Sequence, residues 1–250
     1  MAFIQCNFSS KTLSIGVSMN VILPETKPGQ SPDRKIPTLY LLHGLSDDHT
    51  AWMRYTAIER YARTKNLAIV MPAVNRSFYT DMAGGYPYWT FVSEELLEVT
   101  RAFFPLSDKR EDTFAAGLSM GGYGAFKLGL RRPDLFAAVA SLSGALDLKK
   151  SKPNWIRDFG YIFGADNDVP ADDDLFALTA KTAASSGPKP LLYQACGTED
   201  FLYEANLGFR DHARSLGFDL TYEDGPGNHT WELWDAYISK VLNWLPIREQ

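Results

Sequence analysis

The sequence predicts an α/β fold, a doubly wound and mostly parallel sheet with helices on both faces and at most a small lid. Two patterns predict it. Continuous apolar runs too short for helices recur along the chain, as strands buried on both faces require. Between them lie stretches of helical length, and that alternation is the signature of the architecture. At 250 residues, with 45% hydrophobic and 13% aromatic side chains, the chain can bury one sizeable core, so residues 1–250 are expected to form a single domain.

Taken in order, two alternating stretches open the chain, Ala2 to Phe8 and Leu13 to Leu23, and read as a strand pair. Pro24 to Pro37, rich in proline, glycine and charge, reads as a surface loop. The buried strands expected next are Thr38 to Leu42, Leu67 to Met71, Thr113 to Ala116, Ala137 to Ser141, Pro190 to Ala195 and Asp219 to Glu223. Helices are expected over Ile58 to Lys65, Thr90 to Phe104, Met120 to Arg131, Leu202 to Leu216 and Thr230 to Asn243. Leu146 to Lys189 lacks a clear strand and carries Trp155 to Phe163 and the acidic helix start Asp172-Asp-Asp174. It reads as a small lid or as surface helices.

Charge and composition exclude several classes. The net charge is −5 with both signs interspersed, so no basic stripe is available for nucleic acid and no polybasic tail for a membrane surface. No run of eighteen apolar residues occurs, and Met1 to Asn7 lacks a positive segment followed by an apolar one, so a cytoplasmic location is expected. Cys6 and Cys196 are expected to be buried free thiols. The histidines are scattered and the acidic runs lack calcium-loop spacing, so neither a metal nor a cofactor is expected. The acidic run is read instead as a solvated helix start. A homo-oligomer is compatible with everything in the sequence.

The chemistry is carried by Gly117-Leu118-Ser119-Met120-Gly121, set between an apolar run and a small-residue helix. A serine at such a strand-to-helix turn is held in a strained backbone conformation, so its neighbours must be almost without side chains. A serine hydroxyl is a weak nucleophile and needs a base, which in turn needs a carboxylate to fix its tautomer. His229, in the loop before the last helix, is the candidate base, and Asp200, directly after a buried strand, the candidate acid. Glu199 and Asp147 are the alternative acids. His212 falls inside a helix and is expected to be solvated or packed, His49 lies near the mouth of a loop, and His43 is expected to make a hydrogen bond that shapes its loop. The oxyanion needs donors already aimed at it. Met120 N–H at the helix N-terminus and Leu45 N–H, after the glycine of Leu42-His-Gly-Leu-Ser46, are the candidates. Tyr79, Tyr86, Tyr88, Trp89 and Trp231 are left open between pocket and core.

Together, Leu41-Leu-His-Gly-Leu-Ser46, Arg76-Ser-Phe-Tyr-Thr-Asp81, Gly117 to Phe126, Ser141 to Asp147 and His229-Thr-Trp-Glu-Leu-Trp-Asp235 resemble the esterase D branch of α/β-hydrolases. That branch includes S-formylglutathione hydrolases, feruloyl esterases and small acyl esterases, and the chain is most similar to the tributyrin-esterase-like ones. The resemblance implies a cofactor-free serine carboxylesterase acting on short acyl esters. It also implies Ser119, Asp200 and His229 as triad and Leu45 and Met120 as oxyanion donors. Where S-formylglutathione hydrolases carry a threonine-cysteine segment and a histidine after the glycines of the serine turn, the elbow formed by Gly117 to Gly121, this chain has Ser46-Asp-Asp48 and Tyr123. An oxygen ester is therefore expected before a glutathione thioester, with an acetyl or feruloyl carbohydrate ester as a further alternative. A silent fold used only for binding would not require the three residues.

Overall fold

The computed structural model describes residues 1–25 and 34–247, so most of the Pro24 to Pro37 connection lies outside the described residues. Eight strands form one sheet: β1 (Ala2–Ser10), β2 (Ile15–Leu23), β3 (Thr38–Leu42), β4 (Ala68–Pro72), β5 (Thr113–Leu118), β6 (Ala138–Leu142), β7 (Leu191–Gly197) and β8 (Leu220–Gly225). Their spatial order is β1-β2-β4-β3-β5-β6-β7-β8. β1, β2 and β4 pair antiparallel, and from β4 through β3 to β8 every pair is parallel. The short apolar runs therefore lie where the sequence places them, with boundaries shifted by one or two residues.

Strand side chains alternate between two cores. Leu39, Leu41, Ile69 and Phe114 face one side, where α1 (Ala51–Tyr55), α2 (Ile58–Ala62) and α10 (Trp231–Trp244) supply Trp52, Ile58, Ile238 and Val241. Tyr40, Leu42, Val70 and Val139 face the other. That side is covered by α3 (Tyr88–Thr90), α4 (Leu96–Phe103), α5 (Met120–Arg131), α6 (Leu148–Ser151), α7 (Ile156–Phe163), α8 (Leu175–Ala184) and α9 (Tyr203–Ser215). A π-helical turn, Phe91–Glu95, joins α3 to α4. The α1 helix has no counterpart in the sequence reading, and α2 stops at Ala62 rather than Lys65.

The acidic run before α8 corrects an expectation. Asp172 is exposed and pairs with Lys181, and Asp174 caps α8 by accepting from Phe176 N–H. Asp173, by contrast, is buried and its carboxylate lies 2.6 Å from the ammonium of Lys127, itself fully buried on α5. A solvated helix start would have left that cation without a counter-charge in low dielectric. Cys6 and Cys196 are both free, but Cys6 is only half-buried.

Candidate active site

The candidate residues gather at the C-terminal ends of the parallel strands, where open α/β sheets build their sites. Ser119 sits between β5 and α5 with φ 52° and ψ −116°, in a region ordinary residues avoid. Its peptide is held on both sides: Ser119 N–H donates to Leu142 O, and Ser119 O accepts from Ala145 N–H. The turn is possible only because of two glycines. A Cβ on Gly117 would run into the backbone of Gly121, and one on Gly121 into Leu42 O.

His229 lies beyond β8, and its Nδ1 is 2.8 Å from Oδ2 of Asp200, beyond β7. The Asp200 side chain is fully buried, and its other oxygen accepts from Leu202 N–H. A buried carboxylate with both oxygens occupied is fixed in orientation, and it fixes the imidazole with it. The ring is also packed between Phe201 and Trp234, at 4.7 and 4.9 Å between centroids. Glu199 turns away to accept from Gly227 N–H, and Asp147 caps Lys150 N–H, so neither alternative acid meets His229. His212 is packed against Phe176 and bonds to its carbonyl.

The loop after β3 approaches Ser119 closely: a Cβ on Gly44 would stand 3.8 Å from the Ser119 Cβ. His43 organises this loop, as its sequence position suggests. Its Nε2 accepts from Val74 N–H at 3.1 Å, which leaves the proton on Nδ1, and Nδ1 donates to Gly44 O at 2.7 Å. Burial pushes the imidazole down to about 4, so it stays neutral. Gly44 O also accepts from Asp47 N–H at 3.2 Å. Because a trans peptide points its C=O and N–H in opposite directions, anchoring Gly44 O directs Leu45 N–H away from His43. Met120 N–H begins α5 and, as a first-turn donor, has no partner within the helix.

Behind this loop runs a brace that the sequence does not announce. Phe78 and Tyr79 both have positive φ, 48° and 51°, an unusual state for bulky residues. Tyr79 O and Thr80 Oγ1 accept from Lys127 Nζ, each at 2.8 Å, and Tyr79 O–H donates to His43 O at 2.9 Å. Desolvation lowers Lys127 to about 8, against the pull of Asp173, and its ammonium also lies 5.0 Å from the Trp89 ring. Tyr79 and Trp89 are thus core rather than pocket.

Gly44 to Asp47, Leu118, Ser119, Trp155, Phe201 and His229 to Trp231 with Trp234 enclose a cavity of about 330 Å³. A groove of about 610 Å³ adjoins it across Leu45, Ser46 and Asp47, and is lined by Asn75, Arg76, Met82, Gly85, Tyr86 and Tyr88. Trp155, just before α7, packs at a tilt against Phe78, and α7 is tied down by Arg76–Asp158 and by Ala83 and Gly84 N–H to Ile162 and Tyr161 carbonyls.

Comparison with known proteins shows the family. A family model described as putative esterase matches residues 10–245. The chain belongs to that esterase family. It is 35% identical to an acetyl esterase of Caldicellulosiruptor saccharolyticus, with 98% of each chain covered. Among solved structures it is similar to FphF, a fluorophosphonate-binding serine hydrolase of Staphylococcus aureus, at TM-score 0.92 and 38% identity over 99% of both chains. It is also similar to the S-formylglutathione hydrolase FrmB of the same organism, at TM-score 0.88 and 38% identity over 98% of both. The fold is that of the α/β-hydrolases. No helix among the described residues is long and apolar enough to cross a membrane.

Proposed function

We propose that the protein is a serine carboxylesterase that hydrolyses short-chain acyl esters through an acyl-enzyme. Ser119 Oγ attacks the ester carbonyl while His229 takes its proton and delivers it to the departing alcohol. Water then repeats the sequence in reverse and frees the acid. Asp200 holds His229 in the tautomer that keeps Nε2 open to the serine proton, and Met120 and Leu45 N–H receive the oxyanion. The observation that carries this reading is the pairing of a strained Ser119 with a His229–Asp200 couple on one small cavity. The cavity volume and its aromatic wall of Trp155, Phe201, Trp231 and Trp234 favour a short acyl group.

The test is hydrolysis of p-nitrophenyl acetate, butyrate, octanoate and dodecanoate by wild type and Ser119→Ala. The expected result is a wild-type rate that peaks at the short esters and falls about 10⁴-fold or more in the variant. A variant as active as wild type removes Ser119 from the mechanism. The relation to FrmB keeps a second reading, a thioesterase, in view. A higher kcat/KM on an acyl thioester than on the matching oxygen ester would favour it.

A further inference from the structure

Asp47 is a carboxylate that the proposed mechanism does not use. It is half-buried, and it belongs to the three residues shared by the catalytic cavity and the adjoining groove. Whatever is esterified at Ser119 and extends toward the groove must pass it. Its main chain closes the turn onto Gly44 O, its carboxylate accepts a hydrogen bond from the Gly44 backbone, and it forms no ion pair with any described residue. Burial raises the Asp47 carboxyl above its usual range, opposed by the Gly44 hydrogen bond and, through space, by Arg54 and His229.

The lining of the two spaces adds no free counter-charge. Among the described residues no lysine or arginine lines the catalytic cavity. Among the described residues of the groove the one cation, Arg76, has Nε and Nη2 engaged by the two oxygens of Asp158 at 2.8 and 2.9 Å. Asp200 adds a second negative charge directly behind His229, and Asp48 a third beside Asp47, its carboxylate turned to Thr50. Among the described residues the lining of the two spaces therefore presents a carboxylate and no unpaired lysine or arginine, Arg54 lining neither of them. A cleft walled by Trp155, Phe201, Trp231 and Trp234 intensifies that field relative to open solvent.

We propose that Asp47 is a specificity determinant: it selects against anionic esters and thioesters at Ser119 and favours neutral or cationic ones. The proposal rests on the serine-esterase reading and narrows its substrate class. It places acyl derivatives of acidic thiols and of carboxylate-bearing alcohols among the poor substrates.

Three acetate esters isolate the effect: 4-acetoxybenzamide, 4-acetoxybenzoate and (4-acetoxyphenyl)trimethylammonium carry one acyl group on neutral, anionic and cationic leaving groups. Their kcat/KM values are measured at pH 8, at low and high salt, for wild type and Asp47→Asn. The asparagine keeps the shape and an acceptor oxygen. Dividing by the neutral ester removes any general damage to the loop. The expected result is an anion-to-neutral ratio about threefold to tenfold higher in Asp47→Asn and a cation-to-neutral ratio lower by a similar factor. In wild type the anionic ester should also gain on the neutral one as salt rises, and in the variant much less. Ratios that do not move, proportional loss on all three esters, or a wild-type preference for the benzoate would each overturn the proposal. Inactivity of wild type on every ester would instead overturn the esterase reading beneath it.

Discussion

Replacing His43 with alanine tests how the loop after β3, the proposed oxyanion loop, is held. The ring is almost fully buried and makes two hydrogen bonds, from Val74 N–H and to Gly44 O. Without it, Val74 N–H is left without its acceptor, at about 1–3 kcal/mol, and the space vacated by the imidazole adds to that. A loss of roughly 3 kcal/mol is expected, which for a chain of this size lowers Tm by about 6–12 °C. Catalysis should suffer separately. A missing oxyanion donor costs about 10²–10³ in kcat, but Asp47 N–H still holds Gly44 O, so a fall of about tenfold to a hundredfold is expected. The effect should lie in kcat on p-nitrophenyl butyrate, with KM little changed, because the donor acts on charge that develops in the transition state. Protonation gives an independent reading. His43 titrates at about 4 in the fold against 6.5 for an unperturbed histidine, so between those values the unfolded chain binds the extra proton. Wild-type stability therefore falls as pH drops from 6.5 to 4, by roughly 3 kcal/mol from this group, and no further below it. Urea melts of wild type and His43→Ala across that window should differ by this slope. A variant with wild-type kcat below its Tm, or a difference curve flat from pH 4 to 6.5, would refute the argument.

Two other substitutions follow from the same geometry. Gly121→Ala forces a methyl into Leu42 O at the end of β3, a backbone atom that cannot rotate away. Loss of soluble folded protein is expected, and a Tm within 2 °C of wild type would show that the elbow is looser than described. Lys127→Met leaves Asp173 with only Arg131 at 3.4 Å and removes the donor to Tyr79 O and Thr80. A loss of about 3–5 kcal/mol is expected from thermal melts, partly recovered by adding Asp173→Asn, and a double variant no better than the single one would deny the pairing.

The sheet was legible because strands buried on both faces, such as Thr38–Leu42 and Thr113–Leu118, leave uninterrupted apolar runs. The elbow was legible because its strain demands glycine at Gly117 and Gly121. The meeting of Asp200 with His229 followed from both lying after strands in the order such sheets impose. The brace from Asp173 through Lys127 to Tyr79 and His43 was not legible. Its links join residues 36 to 48 positions apart, and a lysine in a helix looks locally like a surface residue. For the same reason Asp173 could not be told from its solvated neighbours. The left-handed Phe78 and Tyr79 carry no glycine or asparagine to mark them.

The π turn at Phe91–Glu95 has a consequence for how the two halves of its helix are phased. An α-helix turns by about 100° per residue, and a π turn accommodates one more residue than an α turn, so the segments before and after it are rotated by about that angle relative to an unbroken helix. Upstream, Trp89 lies over the Lys127 ammonium. Downstream, Thr100 meets Tyr40 O–H at 3.0 Å in the core. Shortening the segment by one residue would restore a regular helix, yet the two halves could then no longer both reach their partners. The extra residue works as a shim: it lets one continuous helix answer to the centre of the sheet at one end and to the cation behind the loop after β3 at the other.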